Sequence, residues 1–235
     1  MRVFDFDYML SIVPTLVTRG LPVAAKIAFI SFLVGLIIGL IAALMRIYNV
    51  PVLSQLSTLY ISFFRGTPLM VQIMIFYYGI PIVLRGINTA YGLNWDVNGI
   101  SAMTWMFITY SLNVGSYLSE SIRAAILSVN HGQIEAGYSL GMSTLKVLER
   151  ITIPQALKVA VPNFGNTFIS LIKDTSLAFV ASVPEILGEA RIIAGRTNMF
   201  FECYLTAAIV YWVVCIILEI LLKQLEKSTR RHERR

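Results

Sequence analysis

From Ile27 to Met45 the chain is apolar apart from Ser31, and the run is bracketed by Lys26 and Arg46. Roughly 20 apolar residues is the length at which a helix crosses a bilayer, so this segment commits the chain to a membrane. It also restricts the fold to elements that satisfy their own backbone groups. Within the run, Gly35 and Gly39 form a small-xxx-small pair that permits close helix packing. Composition agrees: 57% of the 235 residues are hydrophobic and 14% are charged, against roughly 25% charged in a soluble domain. The surplus apolar surface must face lipid.

Further spans follow from the same pattern. Gly66 to Leu84 lies between Arg65 and Arg85, with Pro68 at a helix start or a local break and Tyr77 and Tyr78 suited to an interface. Ile100 to Leu118 is a third span, Phe164 to Val183 a fourth interrupted by Lys173 and Asp174, and Phe201 to Leu222 a fifth containing Trp212. The expectation is an all-α integral membrane protein of about five transmembrane helices, one membrane domain over residues 1–235. An odd count puts the termini on opposite sides. The tail 223–235 carries Lys227, Arg230, Arg231, Arg234 and Arg235, so the positive-inside rule makes it cytoplasmic and the amino terminus external. The long polar interval 118–162 then falls inside, with Arg123, Lys146, Arg150 and Lys158, while the charge-balanced loop with Glu185, Glu189, Arg191 and Arg196 falls outside. The net charge of +6 thus serves orientation; no aromatic-interleaved basic stripe invites nucleic acid. Asp5 and Asp7 interrupt the amino terminus, and no cleaved signal peptide is expected there.

Within the interval, Gln133 to Leu140 reads as a short helix closed by Gly141. Ser143 caps a second, whose Leu145, Leu148 and Ile151 share a face apart from Lys146, Glu149 and Arg150, and Pro154 is expected to stop it. Two short helices meeting at a glycine make an angled projection suited to docking a partner.

Enzymatic readings find little support. Gly137-Tyr138-Ser139-Leu140-Gly141 matches the nucleophile elbow G-x-S-x-G, but its surroundings read as helix, not as a strand-to-helix turn, and His131 and His232 are the chain's two histidines. Cys203 and Cys215 are separated by about 18 Å along a helix, too far for a disulfide or a shared metal. No clustered His, Cys or carboxylate site favours an intramembrane enzyme, and a passive channel would be told apart by conduction without ATP. No G-x-x-x-x-G-K-[ST] phosphate loop occurs, so energy must come from elsewhere.

Glu135-Ala136-Gly137, then Gly141, then Ile151 to Pro154 resemble the cytoplasmic Glu-Ala-Ala…Gly…Ile-x-Leu-Pro loop of ATP-binding-cassette importer membrane subunits, with Gly137 replacing the second alanine and Ile153 the leucine. Phe64 to Leu69, Gly132-Gln133, Ser139 to Gly141, Pro154 to Leu157 and Lys173 to Leu177 are similar to the polar amino acid branch, over about residues 15–225. Thr175 through Val183-Pro184-Glu185 to Tyr211-Trp212 looks like cystine permeases. The resemblance implies a type I importer membrane domain in a bacterial cytoplasmic membrane, carrying a polar amino acid. It also implies two copies of a separate ATPase that binds ATP and Mg, an external solute-binding protein, and a second permease subunit, identical or not. The segment Gln133 to Leu157 would seat in the ATPase, through Glu135, Ala136, Gly137, Gly141, Leu145, Leu148 and Pro154.

A polar amino acid is a zwitterion, so its path wants an acceptor for the ammonium and donors for the carboxylate. Asp174, Thr175, Thr67, Gln72 and Asn113 are the expected lining residues. Lys173 and Asp174, being adjacent, should point in different directions. Arg65 and Arg123 read as interface anchors, and Asn163 and Asn166, following Pro162, as partners for freed backbone groups without a substrate role.

Overall fold

The computed structural model describes residues 5–231, with side chains through Lys227. Helix α1 (Phe6–Thr15) runs into α2 (Leu21–Ile47), followed by α3 (Leu53–Gly66), α4 (Leu69–Met74) and α5 (Ile80–Tyr91). Then come α6 (Ala102–Leu127), α7 (His131–Ser139), α8 (Thr144–Val147), α9 (Ile153–Asp174), α10 (Ile186–Thr197) and α11 (Phe200–Arg231). Arg234 and Arg235, part of the expected basic tail, lie outside the described residues.

Three of these junctions share one device. Widened π-turns at Leu16–Gly20, Ile75–Gly79 and Leu148–Thr152 fuse α1 to α2, α4 to α5 and α8 to α9, and each is followed by a proline, Pro22, Pro81 or Pro154. Proline lacks a backbone donor and its ring crowds the preceding turn. A wider turn relieves both, and Leu21, Ile80 and Ile153 donate five residues back instead of four. Pro154 therefore does not stop its helix, contrary to the expectation from sequence. The chain continues as α9 for 22 residues.

The five expected spans correspond to the long helical segments, with shifted ends. The first begins near Phe6, because the π-turn carries the helix across Pro22. The fourth is Ile153–Asp174, not Phe164 to Val183; beyond Asp174 the chain tightens into a 3₁₀ segment, Thr175–Ala181, ended by Ser182 in the left-handed region. By length and composition Phe6–Ile47, Leu69–Tyr91 and Phe200–Lys227 are apolar enough to cross a membrane. α6 is more polar because its neighbours are protein. Half of its 26 residues are buried, among them Thr109, Asn113, Ser116 and Ser119, whose side chains bond to nearby backbone or to another buried amide.

α2 and α6 form the most extensive helix pairing. A β-carbon at Gly35 would lie 2.4 Å from the Val114 side chain, and one at Gly39 would lie 2.9 Å from the Gly115 carbonyl. The small-residue pair is what lets the two backbones approach. Around this contact Ile27, Met106, Tyr110, Leu118, Leu171 and Ala178 build the main core. A second cluster packs α10 between the first helix and α11. α3 and α10 were not foreseen as helices, since both mix polar and apolar residues too evenly to stand out.

Candidate functional site: a polar cleft and an exposed elbow

Pro68 holds Thr67 in extended backbone and so ends α3 and restarts the chain as α4. The break leaves carbonyls of α3 without helical partners. Gln72, fully buried, supplies them: its amide nitrogen donates to the Phe64 and Thr67 carbonyls at 2.9 and 3.0 Å and to the Thr67 hydroxyl at 2.8 Å. Its oxygen accepts from Asn113 of α6 at 2.9 Å. Gln72 is the staple of this break.

The break forms one wall of a cleft of about 520 Å³, contributing Thr67, Pro68 and Leu69. α6 contributes Asn113, Val114, Tyr117 and Ser121, at the four-residue spacing that keeps side chains on one helix face. α9 contributes Asn163, Asn166, Thr167, Ser170, Leu171 and Asp174, again one face. Hydroxyls and amides dominate, and Asp174 is the carboxylate among the lining residues. Beside them, the Arg65 guanidinium lies 5.5 Å from the centre of the Tyr117 ring.

Of the residues expected to line a path, Thr67, Asn113 and Asp174 reach the cleft directly. Gln72 stands behind it, acting through Thr67 and Asn113. Thr175 does not line it; it is fully buried, with its hydroxyl donating to the Ile172 carbonyl. Lys173 and Asp174 do point apart, Lys173 into a separate groove with Tyr211, Trp212 and Glu219. Asn163 and Asn166, set aside from sequence, are cleft residues, as are Thr167, Ser170, Tyr117 and Ser121. The signal was available: 163, 166, 167, 170 and 174 are polar at helical spacing. A span beginning at Phe164 leaves Asn163 outside it, whereas α9 starts at Ile153 and carries all five on one face.

At the other end of the same two helices stands the elbow. Asn130 caps α7 by accepting from Gly132 at 2.8 Å, and Ser143 caps α8 by accepting from Lys146. Between them Gly141 has φ +75°, a conformation favourable to glycine. Gly137 packs closely against Ile151 and Val147: a β-carbon there would lie 2.8 Å from the end of the Ile151 side chain. Gln155 donates to Gln133 across the elbow. Ile134 packs with Ala125, Val129, Ala156 and Ala160, which fastens α7 to the feet of α6 and α9. Glu135 and Ala136 face solvent, and Leu140 and Leu145 are 83% and 72% exposed; Leu148 is also exposed.

Basic groups gather at that end: Glu120 bonds both Arg46 and Arg123. Leu222 and Leu225 of α11 line one apolar groove with Val161 and Phe164 of α9. The amino-terminal helix lies at the opposite end, where Tyr8 donates to Thr197 at 3.0 Å.

Comparison with known proteins gives this architecture a family. Residues 35–231 match the family described as the inner membrane component of binding-protein-dependent transport systems. A probable amino-acid ABC transporter permease protein of Vibrio harveyi is 42% identical over 92% of each chain. An L-cystine transport system permease protein of Bacillus subtilis is 41% identical over 100% of this chain and 95% of that one. A crystal structure of an amino acid ABC transporter with histidines superposes with a TM-score of 0.82 at 31% identity, covering 96% of this chain and 99% of that one. The chain belongs to the amino-acid ABC transporter permeases, the membrane-spanning subunits of those transporters and not their ATPases.

Proposed function

We propose that this chain is the membrane subunit of an ATP-driven importer for a polar amino acid. One observation carries the reading: α6 and α9 hold both the polar cleft along their length and the exposed elbow at one end. A force applied to the elbow is therefore delivered to the walls of the cleft. The amide and hydroxyl lining, with one carboxylate, suits a zwitterion, with Asp174 meeting the ammonium and Asn113, Asn163, Asn166 and Thr67 offering donors to the carboxylate. Cystine, two amino acid heads on one molecule, suits the length of a cleft that follows α9 from Asn163 to Asp174, about 16 Å.

The segment Gln133 to Leu157 docks on an ATPase that binds ATP and Mg, present in two copies, through Leu140 and Leu145 beside Glu135 and Ala136. Leu148 adds to that face, Gly137 and Gly141 set its angle, and Pro154 with its π-turn joins it to α9. A second permease subunit faces the first, and an external solute-binding protein delivers the amino acid. The elbow is cytoplasmic and the amino terminus external, in a bacterial cytoplasmic membrane; the gathering of Arg46 and Arg123 at the elbow end supports this orientation.

Reconstitution with the ATPase and binding protein in proteoliposomes tests the reading. ATP-dependent uptake of cystine or another polar amino acid is expected. Conduction without ATP, or turnover of a lipid or peptide by the purified chain, would replace it.

A further inference from the structure

Glu185 is fully buried, and the cleft does not use it. One carboxylate oxygen accepts from the Gly188 backbone at 2.9 Å and so caps α10; the other accepts from the Tyr211 phenol of α11. Tyr211 in turn shares a groove with Lys173 and Ser176, the residues on either side of Asp174 and Thr175. The Asp174 carbonyl is held from the other side, by the Tyr110 hydroxyl at 2.8 Å. An exposed carboxylate at the end of a helix is thus gripped through its own backbone on one side and through its neighbours on the other. A buried carboxylate is costly to retain unless fully hydrogen-bonded. A cap alone would be served by serine or threonine at the surface.

We infer that Glu185 and Tyr211 are positioning residues for the cleft: packed beside Lys173 and Ser176, they fix the turn at which α9 ends, and so fix the aim of the Asp174 carboxylate. This rests on the reading that Asp174 meets the ammonium of the transported amino acid.

The test is a double-mutant cycle on the reconstituted complex, which separates action through Asp174 from independent stabilisation. The probe is an equimolar mixture of labelled L-amino acids including L-cystine, at saturating binding protein. Asp174→Asn is expected to lower maximal uptake about tenfold and Tyr211→Phe about fivefold, with the amount of inserted subunit and the basal ATPase rate of the Tyr211→Phe complex unchanged. In the Asp174→Asn background, Tyr211→Phe should cost less than twofold more. Glu185→Gln, which keeps an oxygen acceptor, should stay within twofold of the parent, whereas Glu185→Ala should behave as Tyr211→Phe and can replace it in the cycle. A full further fivefold loss in the double variant would overturn the positioning role and leave the reading of Asp174 intact. Unchanged uptake by Asp174→Asn alone would overturn that reading and this inference with it.

Discussion

The cleft and the elbow are built on the same two helices, yet they follow opposite rules. In the cleft, polar side chains are turned inward and tied into a network, as Gln72 does with Asn113 and Thr67. At the elbow, Leu140 and Leu145 are turned outward. Within a bilayer the apolar surroundings are lipid, so polar groups gather between helices where they find partners or line a passage. On the proposed reading the elbow stands in water, where an exposed apolar pair suits a surface that a partner covers. The polar cleft and the exposed apolar pair are therefore separated along α6 and α9 by distance, not by domain.

Variants at the two ends should accordingly fail in different ways. The largest effect is expected from Gly141→Leu: a left-handed conformation costs a branched residue roughly 1–2 kcal/mol, the elbow angle shifts, and uptake should be lost while the subunit still inserts. Gly141→Asn, which tolerates that conformation, should retain most of it, and equal loss in both variants would break the argument from φ. Next is Leu145→Glu, placing a charge on the docking face. Loss of about 2 kcal/mol, roughly thirtyfold in affinity for the ATPase, is expected by co-purification titration, with the cleft untouched.

Asp174→Asn should do the reverse, leaving ATPase affinity unchanged while uptake falls about tenfold, the scale of one charge-assisted hydrogen bond. If it weakens ATPase affinity instead, the two ends are not separable. The smallest effect on transport belongs to Gln72→Leu. It removes partners from buried carbonyls and from Asn113 at about 1–3 kcal/mol, lowering the thermal unfolding midpoint of the purified complex while uptake stays within about threefold.

Much of the architecture was legible in the residues. Gly35 and Gly39 announced a close helix contact, though not its partner α6, and Gly141 with Ser143 announced the elbow. The adjacent Lys173 and Asp174 do diverge, because neighbours on a helix are about 100° apart. What misled was proline. Read as a stop, Pro154 hid the first turns of α9 and pushed the fourth span toward Val183. The sequence pattern puts Leu145 and Leu148 on one face with Ile151, yet Val147 is the buried residue of α8 and Leu145 stays exposed, since Gly137 packs against Val147 and Ile151.

By itself, the sequence determined that the chain crosses a membrane, where its long helices lie to within a few turns, and that an angled elbow interrupts them. Each of these depends on local pattern: apolar length, small-residue spacing, capping side chains and the φ preference of glycine. Only the tertiary structure decided which polar residues share a cleft. It turned Gln72 and Thr175 away from that cleft, brought Asn163 and Asn166 into it, and joined Glu185 to Tyr211 behind Asp174. A polar side chain on a buried helix has several directions in which to find partners. The packing of the other helices selects among them.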